Sequence, residues 1–266
     1  MKMQLAGLSD TGRKRDNNED AWLAMEAGDD QQLLLVADGV GGRDAGEVAS
    51  ATTADIFREL AESGKLAAAT SADMSRMILE MAAHRAHARV SKLAAESEQE
   101  LSMSCTLTAA LVNTAGNRAR VDVLQVGDTR AYRFHDGQLE QITEDQTVAR
   151  QLFRDGRIGE DQLRNHPDRN TLSQSIGLES TEHSFEPVFY SVEINDGDAV
   201  LLCSDGLTDG VADEVLAECI NDNPEPEQAA QALIDVALTA GGHDNITVVL
   251  GVCQHSHQDR GAEDGG

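Results

Sequence analysis

Five aspartates occupy positions from which side chains could be aimed at a common point. Asp38 follows the apolar run Leu33-Leu34-Leu35-Val36-Ala37 and precedes Gly39-Val40-Gly41-Gly42, and Asp205 follows Val200-Leu201-Leu202-Cys203-Ser204 and precedes Gly206-Leu207. Asp244 stands in Gly241-Gly242-His243-Asp244-Asn245 just before another apolar run, Asp128 in Gly127-Asp128-Thr129-Arg130 between two, and Asp20 after Asn17-Asn18-Glu19. Strand ends are rigid supports for a functional side chain. A glycine directly after the acid lets the backbone approach an ion and offers its carbonyl as a ligand. Hard divalent cations, Mg²⁺ or Mn²⁺, prefer such oxygen donors, whereas gathered carboxylates without cations repel one another and take up protons. The alternative for any Asp-Gly pair is an ordinary turn, and that is the reading for Asp136-Gly137. For Asp38-Gly39 and Asp205-Gly206, each behind a fully apolar strand, a metal ligand and a turn both stand open. Arg13-Lys14-Arg15 is a rare basic cluster next to Glu19 and Asp20. It suits either a bidentate grip on a phosphate dianion or a solvated loop.

The rest of the chain sets limits on these acids. Its 266 residues carry 47 Asp+Glu against 21 Lys+Arg, a formal charge of −26. Such a chain repels phosphate on average, which argues against nucleic acid and anionic lipid as partners. Most of the acids form a solvated surface. The four cysteines (Cys105, Cys203, Cys219 and Cys253) contain no C-x-x-C pair and read as reduced, apolar-run residues. Neither a signal peptide nor a membrane helix is evident, so a cytoplasmic, soluble protein is expected, and a monomer is expected as a separate reading.

The elements that must position the acids follow from periodicity. Short strands are expected over 3–8, 21–26 and 33–37, the last two as a hairpin. Helical spacing begins at Ala45, and a second helix is expected over 71–98 with Met74, Met77, Ile78 and Met81 as its core face. Strands over 106–112, 119–126, 130–134 and 138–142 are expected to form an antiparallel meander. The polar, weakly helical stretch 143–178 reads as a flap-like insert over the sheet. Strands resume at 185–194 and 199–203, two helices follow over about 213–221 and 227–240, and 246–252 is the last strand. Residues 1–253 are expected to form one domain and 254–266 a disordered tail. Strands in runs and helices in pairs favour α+β over a doubly wound parallel sheet.

Together these residues resemble the PPM family of metal-dependent serine/threonine protein phosphatases, also called protein phosphatase type 2C, in its short bacterial form. Arg15-Asp16-Asn17-Asn18-Glu19-Asp20 resembles the family's R-x-x-N-E-D opening, and Val36 to Gly42 resembles V-x-D-G-x-G-G. Val126 to Arg130 resembles V-G-D-S/T-R, Leu202 to Leu207 resembles L-x-S-D-G-L/V, and Asp244 to Val248 resembles D-N-I/M-T-V. Five motifs in the family's order span nearly the whole chain. The resemblance implies a four-layer α-β-β-α sandwich and two or three Mg²⁺ or Mn²⁺ ions. It implies that Asp38 bridges two ions, that the Gly39 carbonyl, Asp205 and Asp244 complete the ligands, and that Asp128 serves a third. Glu19 and Asp20 fall in the outer shell, and Arg15 holds the substrate phosphate. The implied reaction is hydrolysis of phosphoserine and phosphothreonine in proteins by a metal-activated water, opposing a bacterial serine/threonine kinase. Ser204 and Cys203 are then not nucleophiles.

The sequence departs from the family pattern at three points. Val40 stands where many eukaryotic members have a His after Asp-Gly, and Arg43 stands where some bacterial members have one. Asp145-Gln146-Thr147 occupies the place of D-H-S/T. The general acid is thus unassigned, and Arg43 is free to recognise phosphate or substrate. His84 and His87, and His255 and His257, lack a third partner and read as surface residues. A catalytically silent phospho-binding module is the competing class, disfavoured by intact Asp38, Asp205, Asp244 and Arg15. A small-phosphoester hydrolase is a third reading, and a flap over the site argues for protein substrates instead.

Overall fold

The structure, a computed structural model, describes residues 1–41, 45–97, 102–114, 118–163, 165–178 and 184–254. Strand β1 (Lys2–Asp10) leads to the hairpin β2 (Ala21–Gly28) and β3 (Gln31–Ala37), and then to a three-residue strand β4 (Gly39–Gly41). Helices α1 (Ala45–Glu62) and α2 (Ala72–Glu96) follow. Next come β5 (Met103–Cys105), β6 (Leu107–Asn113), β7 (Ala119–Val126), β8 (Arg130–His135) and β9 (Gln138–Gln141). Short helices α3 (Val148–Arg154) and α4 (Glu160–Leu163) precede β10 (Val188–Ile194) and β11 (Ala199–Cys203). A one-turn helix α5 (Asp205–Thr208), helices α6 (Asp213–Asp222) and α7 (Pro226–Thr239), and β12 (Ile246–Gln254) complete the chain.

Two five-stranded antiparallel sheets, ordered β1-β12-β11-β8-β9 and β10-β7-β6-β3-β2, face one another, with a small β4-β5 ladder beside them. Alternation along the strands builds the layers. In β3, Leu34 and Val36 meet Val200 and Leu202 of β11 and Val249 of β12 in the core between the sheets. Leu33, Leu35 and Ala37 point the other way, onto Phe57 of α1 and Leu79 of α2. On the far side Leu201 and Cys203 pack with Leu216 and Leu233 of α6 and α7. The central strands are thus apolar on both faces because both faces are covered, and the expected α-β-β-α sandwich is observed. No helix among the described residues is long and apolar enough to cross a membrane.

Several expectations need correction. The strands from β6 to β9 are not a meander, because β6 and β7 lie in one sheet and β8 and β9 in the other. Gly127-Asp128 therefore carries the chain between sheets, as does Asn195 to Asp198 between β10 and β11. Helix α2 buries Ser75, Leu79, Ala82, Ala83, Ala86 and Val90, while Met77 and Met81 are exposed, Met81 at 66%. Its small alanines allow a closer approach than the Met face would. Gln254 pairs with Lys2 in the first sheet and so belongs to β12 rather than to a tail. The remaining tail residues 255–266, His255 and His257 included, and also Arg43, lie outside the described residues. Asp136-Gly137 is a tight turn with φ of 48° and 75°, the geometry a two-residue hairpin requires. The four cysteines are free, and all but the half-buried Cys219 are fully buried.

Candidate metal and phosphate centre

Strand register brings the acids together. Ala21 pairs with Ala37, Leu107 with Val126, Cys203 with both Arg130 and Val248, and Asp10 with Ile246. Each pair sits at the same end of its sheet. Asp20, Asp38, Asp128, Asp205 and Asp244, one or two residues beyond those pairs, therefore emerge at one end of the sandwich. A cleft of about 500 Å³ opens there, lined by Arg15, Glu19, Asp38, Gly39, Asp128, Asp205 and Asp244 among others. Asp20 does not line the cleft. It lies behind, where its Oδ2 accepts hydrogen bonds from Ser204 Oγ at 2.8 Å and Thr247 Oγ1 at 2.6 Å.

Local geometry explains the glycines. A Cβ on Gly39 would lie 2.4 Å from the Gly46 carbonyl carbon and 2.5 Å from the Glu19 carbonyl oxygen, and one on Gly206 would lie 2.0 Å from the Asn245 carbonyl oxygen. The backbones carrying Asp38 and Asp205 are thus pressed against their neighbours. Thr106 clamps Asp38 by donating its backbone N–H to the Asp38 carbonyl at 2.8 Å and accepting the Asp38 N–H on Oγ1 at 3.0 Å. Arg15 Nη2 donates to Asp244 Oδ2 at 2.7 Å and is half exposed at the rim. That hydrogen bond, with the nearby charges of Asp244, Asp38 and Glu19, raises its pKa.

The acids perturb one another. Burial, and then the charges of Asp20, Asp205, Asp128 and Asp244, push Asp38 well above the usual carboxylate range. Burial and the charges of Asp128 and Asp209 do the same to Asp205. Burial, with Asp145 next, raises Asp128 to about 7. Burial raises Asp20 to about 6 against the hydrogen bonds of Thr247 and Ser204. As the side chains stand, no three acidic, His or Cys residues among the described residues close on one point at ligand distance, and Asp244 is turned onto Arg15. The donor set nevertheless fits a hard divalent cation. It consists of oxygens alone, and Asp205 Oδ1 is buried with no hydrogen-bond partner, as is Asp20 Oδ1 behind it.

Sequence reasoning missed four residues. Asn245 donates to the Thr11 and Asn17 carbonyls at 3.0 and 2.9 Å and accepts the Glu19 N–H at 2.9 Å, so it shapes the loop that carries Arg15. Asp209 adds charge to Asp128 and Asp205, and its spacing of four residues from Asp205, one helical turn, was a usable signal. Gln146 Oε1 accepts the Gly127 N–H at 2.7 Å, and Gly127 has φ +96° at the Asp128 corner. Asn170 donates to Asp209 Oδ2 at 3.1 Å and lines the cleft. No local pattern marks Asn170, and Gln146 stands out only as the residue in the place of His in Asp145-Gln146-Thr147, with no role assigned to it. Asp145 is taken up in a bidentate pair with Arg130 at 2.8 and 2.7 Å. His87 is half-buried rather than a free surface residue, and its Nδ1 accepts the Gly177 N–H at 3.1 Å.

Comparison with known proteins agrees with this geometry. A sequence profile described as Protein phosphatase 2C matches residues 11–236. The serine/threonine protein phosphatase PstP of Mycobacterium tuberculosis is 38% identical over 93% of the chain, which spans 44% of that protein's length. The serine/threonine phosphatase stp of Listeria monocytogenes is 35% identical over 91% of the chain and 92% of its own length. The catalytic domain of PstP in complex with two manganese ions has a TM-score of 0.77 at 33% identity, with 95% of this chain and 99% of that one covered. The chain belongs to the protein phosphatase 2C family.

Proposed function

We propose that the chain is a Mg²⁺- or Mn²⁺-dependent protein serine/threonine phosphatase that hydrolyses phosphoserine and phosphothreonine and opposes a bacterial serine/threonine kinase. The observation that carries this reading is the convergence of acids from five separate segments, with Arg15, at one end of the sandwich. In this reading Asp38, the Gly39 carbonyl, Asp205 and Asp244 would hold two divalent cations, with Asp38 shared between them, and Asp128 would hold a third. Glu19 and Asp20 act from the outer shell. The structure of PstP with two manganese ions supports a centre of at least two divalent cations.

Bound there, divalent cations polarise phosphate oxygens and lower the pKa of water. The protein's own groups do the rest. Arg15, held at the rim by Asp244, directs its free guanidinium edge to the phosphate and stabilises charge on it. Ser204 is fully buried and donates to Asp20, which fixes the outer shell and removes Ser204 as a nucleophile. Cys203 is buried in the helix-facing core, which pushes its thiol to about 12. With Ser204 and Cys203 both buried away from the cleft, water is the nucleophile in this reading: it attacks phosphorus as the bond to the serine or threonine oxygen breaks, and that oxygen leaves as the alcohol with a proton from the water. The segment 143–178 supports protein substrates, because Asn170 to Leu172 and Ser175 border the cleft. Four free cysteines and the charge of −26 support a cytoplasmic monomer that binds phosphoproteins and neither nucleic acid nor membranes.

The test is phosphate release from a phosphothreonine peptide with Mn²⁺. Activity should vanish with EDTA and fall by at least about a thousandfold in Asp38→Ala. A purified protein that is inert with Mn²⁺ overturns the enzyme reading, and full activity in EDTA overturns the metal.

A further inference from the structure

Two aliphatic side chains are out of keeping with the rest of the cleft. Val40 is 42% exposed and Leu178 53% exposed, and both line the cleft that holds Asp38 and Arg15. Apart from them and the half-buried Leu172, the lining side chains are charged, hydroxylic or amide, or absent at glycine. The two stand on adjoining segments. Val40 of β4 pairs with Ser104 of β5, and the neighbouring Cys105 is bridged to Ile176, two residues before Leu178.

This ledge is held firmly. The Gly177 N–H donates to His87 Nδ1 at 3.1 Å, and the Gly177 carbonyl accepts from Ser91 Oγ at 3.2 Å. Gly177 has φ +91°, and a Cβ there would lie 2.3 Å from Val90 Cγ1. His87 in turn stacks on Phe185 with ring centroids 4.2 Å apart. Helix α2 therefore locks the backbone next to Leu178 while the leucine itself stays outside the core. An apolar side chain pre-positioned at the mouth of a polar cleft lacks only an apolar partner from the ligand.

We infer that Val40 and Leu178 form a subsite for an apolar side chain adjacent to the phosphorylated residue of the substrate. The inference rests on the phosphatase reading. Val40 directly follows Gly39, whose carbonyl is a metal ligand in that reading, so the ledge adjoins the centre that would hold the phosphate. An extended substrate advances about 3.3–3.6 Å per residue, so the ledge receives a residue one or two positions from the phosphorylated one.

The experiment compares three substrates with Mn²⁺ present: a phosphothreonine peptide with leucine on both sides, the same peptide with asparagine on both sides, and capped phosphothreonine without neighbours. Wild type should show kcat/KM about tenfold higher for the leucine peptide, mainly through KM. Leu178→Asn should reduce that preference to about twofold or less and leave capped phosphothreonine unchanged. Val40→Thr, nearly isosteric, should shift the preference in the same direction. A wild type that treats both peptides alike overturns the subsite, as does a Leu178→Asn that loses activity equally on all three substrates. Failure of wild type to hydrolyse any of the three overturns the phosphatase reading itself.

Discussion

Replacing Asp128 by asparagine should stabilise the metal-free protein while damaging its activity. Asp128 sits at the corner between β7 and β8, and burial together with Asp145 raises it from 3.8 to about 7. A raised carboxylate favours the folded state only while protonated. Below 3.8 both folded and unfolded chains hold the proton. Between 3.8 and 7 the folded chain holds more, so stability falls as pH rises, and above 7 the full penalty is present. One pKa unit corresponds to about 1.4 kcal/mol, which gives roughly 4 kcal/mol before screening. Asp128 keeps part of its surface open to the cleft, and solvent screening reduces this to about 2 kcal/mol. In differential scanning fluorimetry with EDTA at about pH 8, Asp128→Asn should melt about 4–8 °C above wild type. At about pH 5 the gain should shrink to about a third. With Mn²⁺ the order should weaken or reverse, because wild type gains ligand-linked stability that the variant lacks in part. A gain of equal size at both pH values, or none at the higher one, would refute the electrostatic reasoning.

Other substitutions separate the parts of the centre. Arg15→Ala should raise KM for phosphopeptides by about 10- to 100-fold with a smaller effect on kcat, as steady-state kinetics will show, because a charged hydrogen bond to phosphate is lost. Gly206→Ala places a Cβ 2.0 Å from the Asn245 carbonyl oxygen, so urea denaturation should show a loss of about 1–3 kcal/mol or more, together with loss of activity. Met81→Lys on the exposed face of α2 should stay within about 0.5 kcal/mol of wild type, whereas a core position would lose several times that.

The individual elements were legible because their signals are local. Period-two and period-3.6 patterns placed β1, β2, β3, α1 and α7 within a few residues, and Ser71 marks the start of α2 by accepting the Met74 N–H. The acids were legible because an apolar run, an aspartate and a glycine are adjacent in sequence. Pairing was less legible. Gly127-Asp128 read locally as a turn within an antiparallel meander, yet it carries the chain from one sheet to the other, as does the Asn195–Asp198 connection. Strands apolar on both faces show no alternation that could say which partner each one takes.

By itself, the sequence determined which residues end strands, which acids stand beside glycines and which motifs occur in order, since these depend on neighbours along the chain. Only the tertiary structure decided which of 47 acidic residues share a cleft and repel one another, because that depends on register between strands far apart in sequence. It also decided that Asp20 lies behind the cleft, that Gln146 and Asn245 brace the loops around it, and that the alanines rather than the methionines of α2 face the core. Each follows from packing density and from hydrogen-bond partners more than ten residues away, which no local pattern encodes.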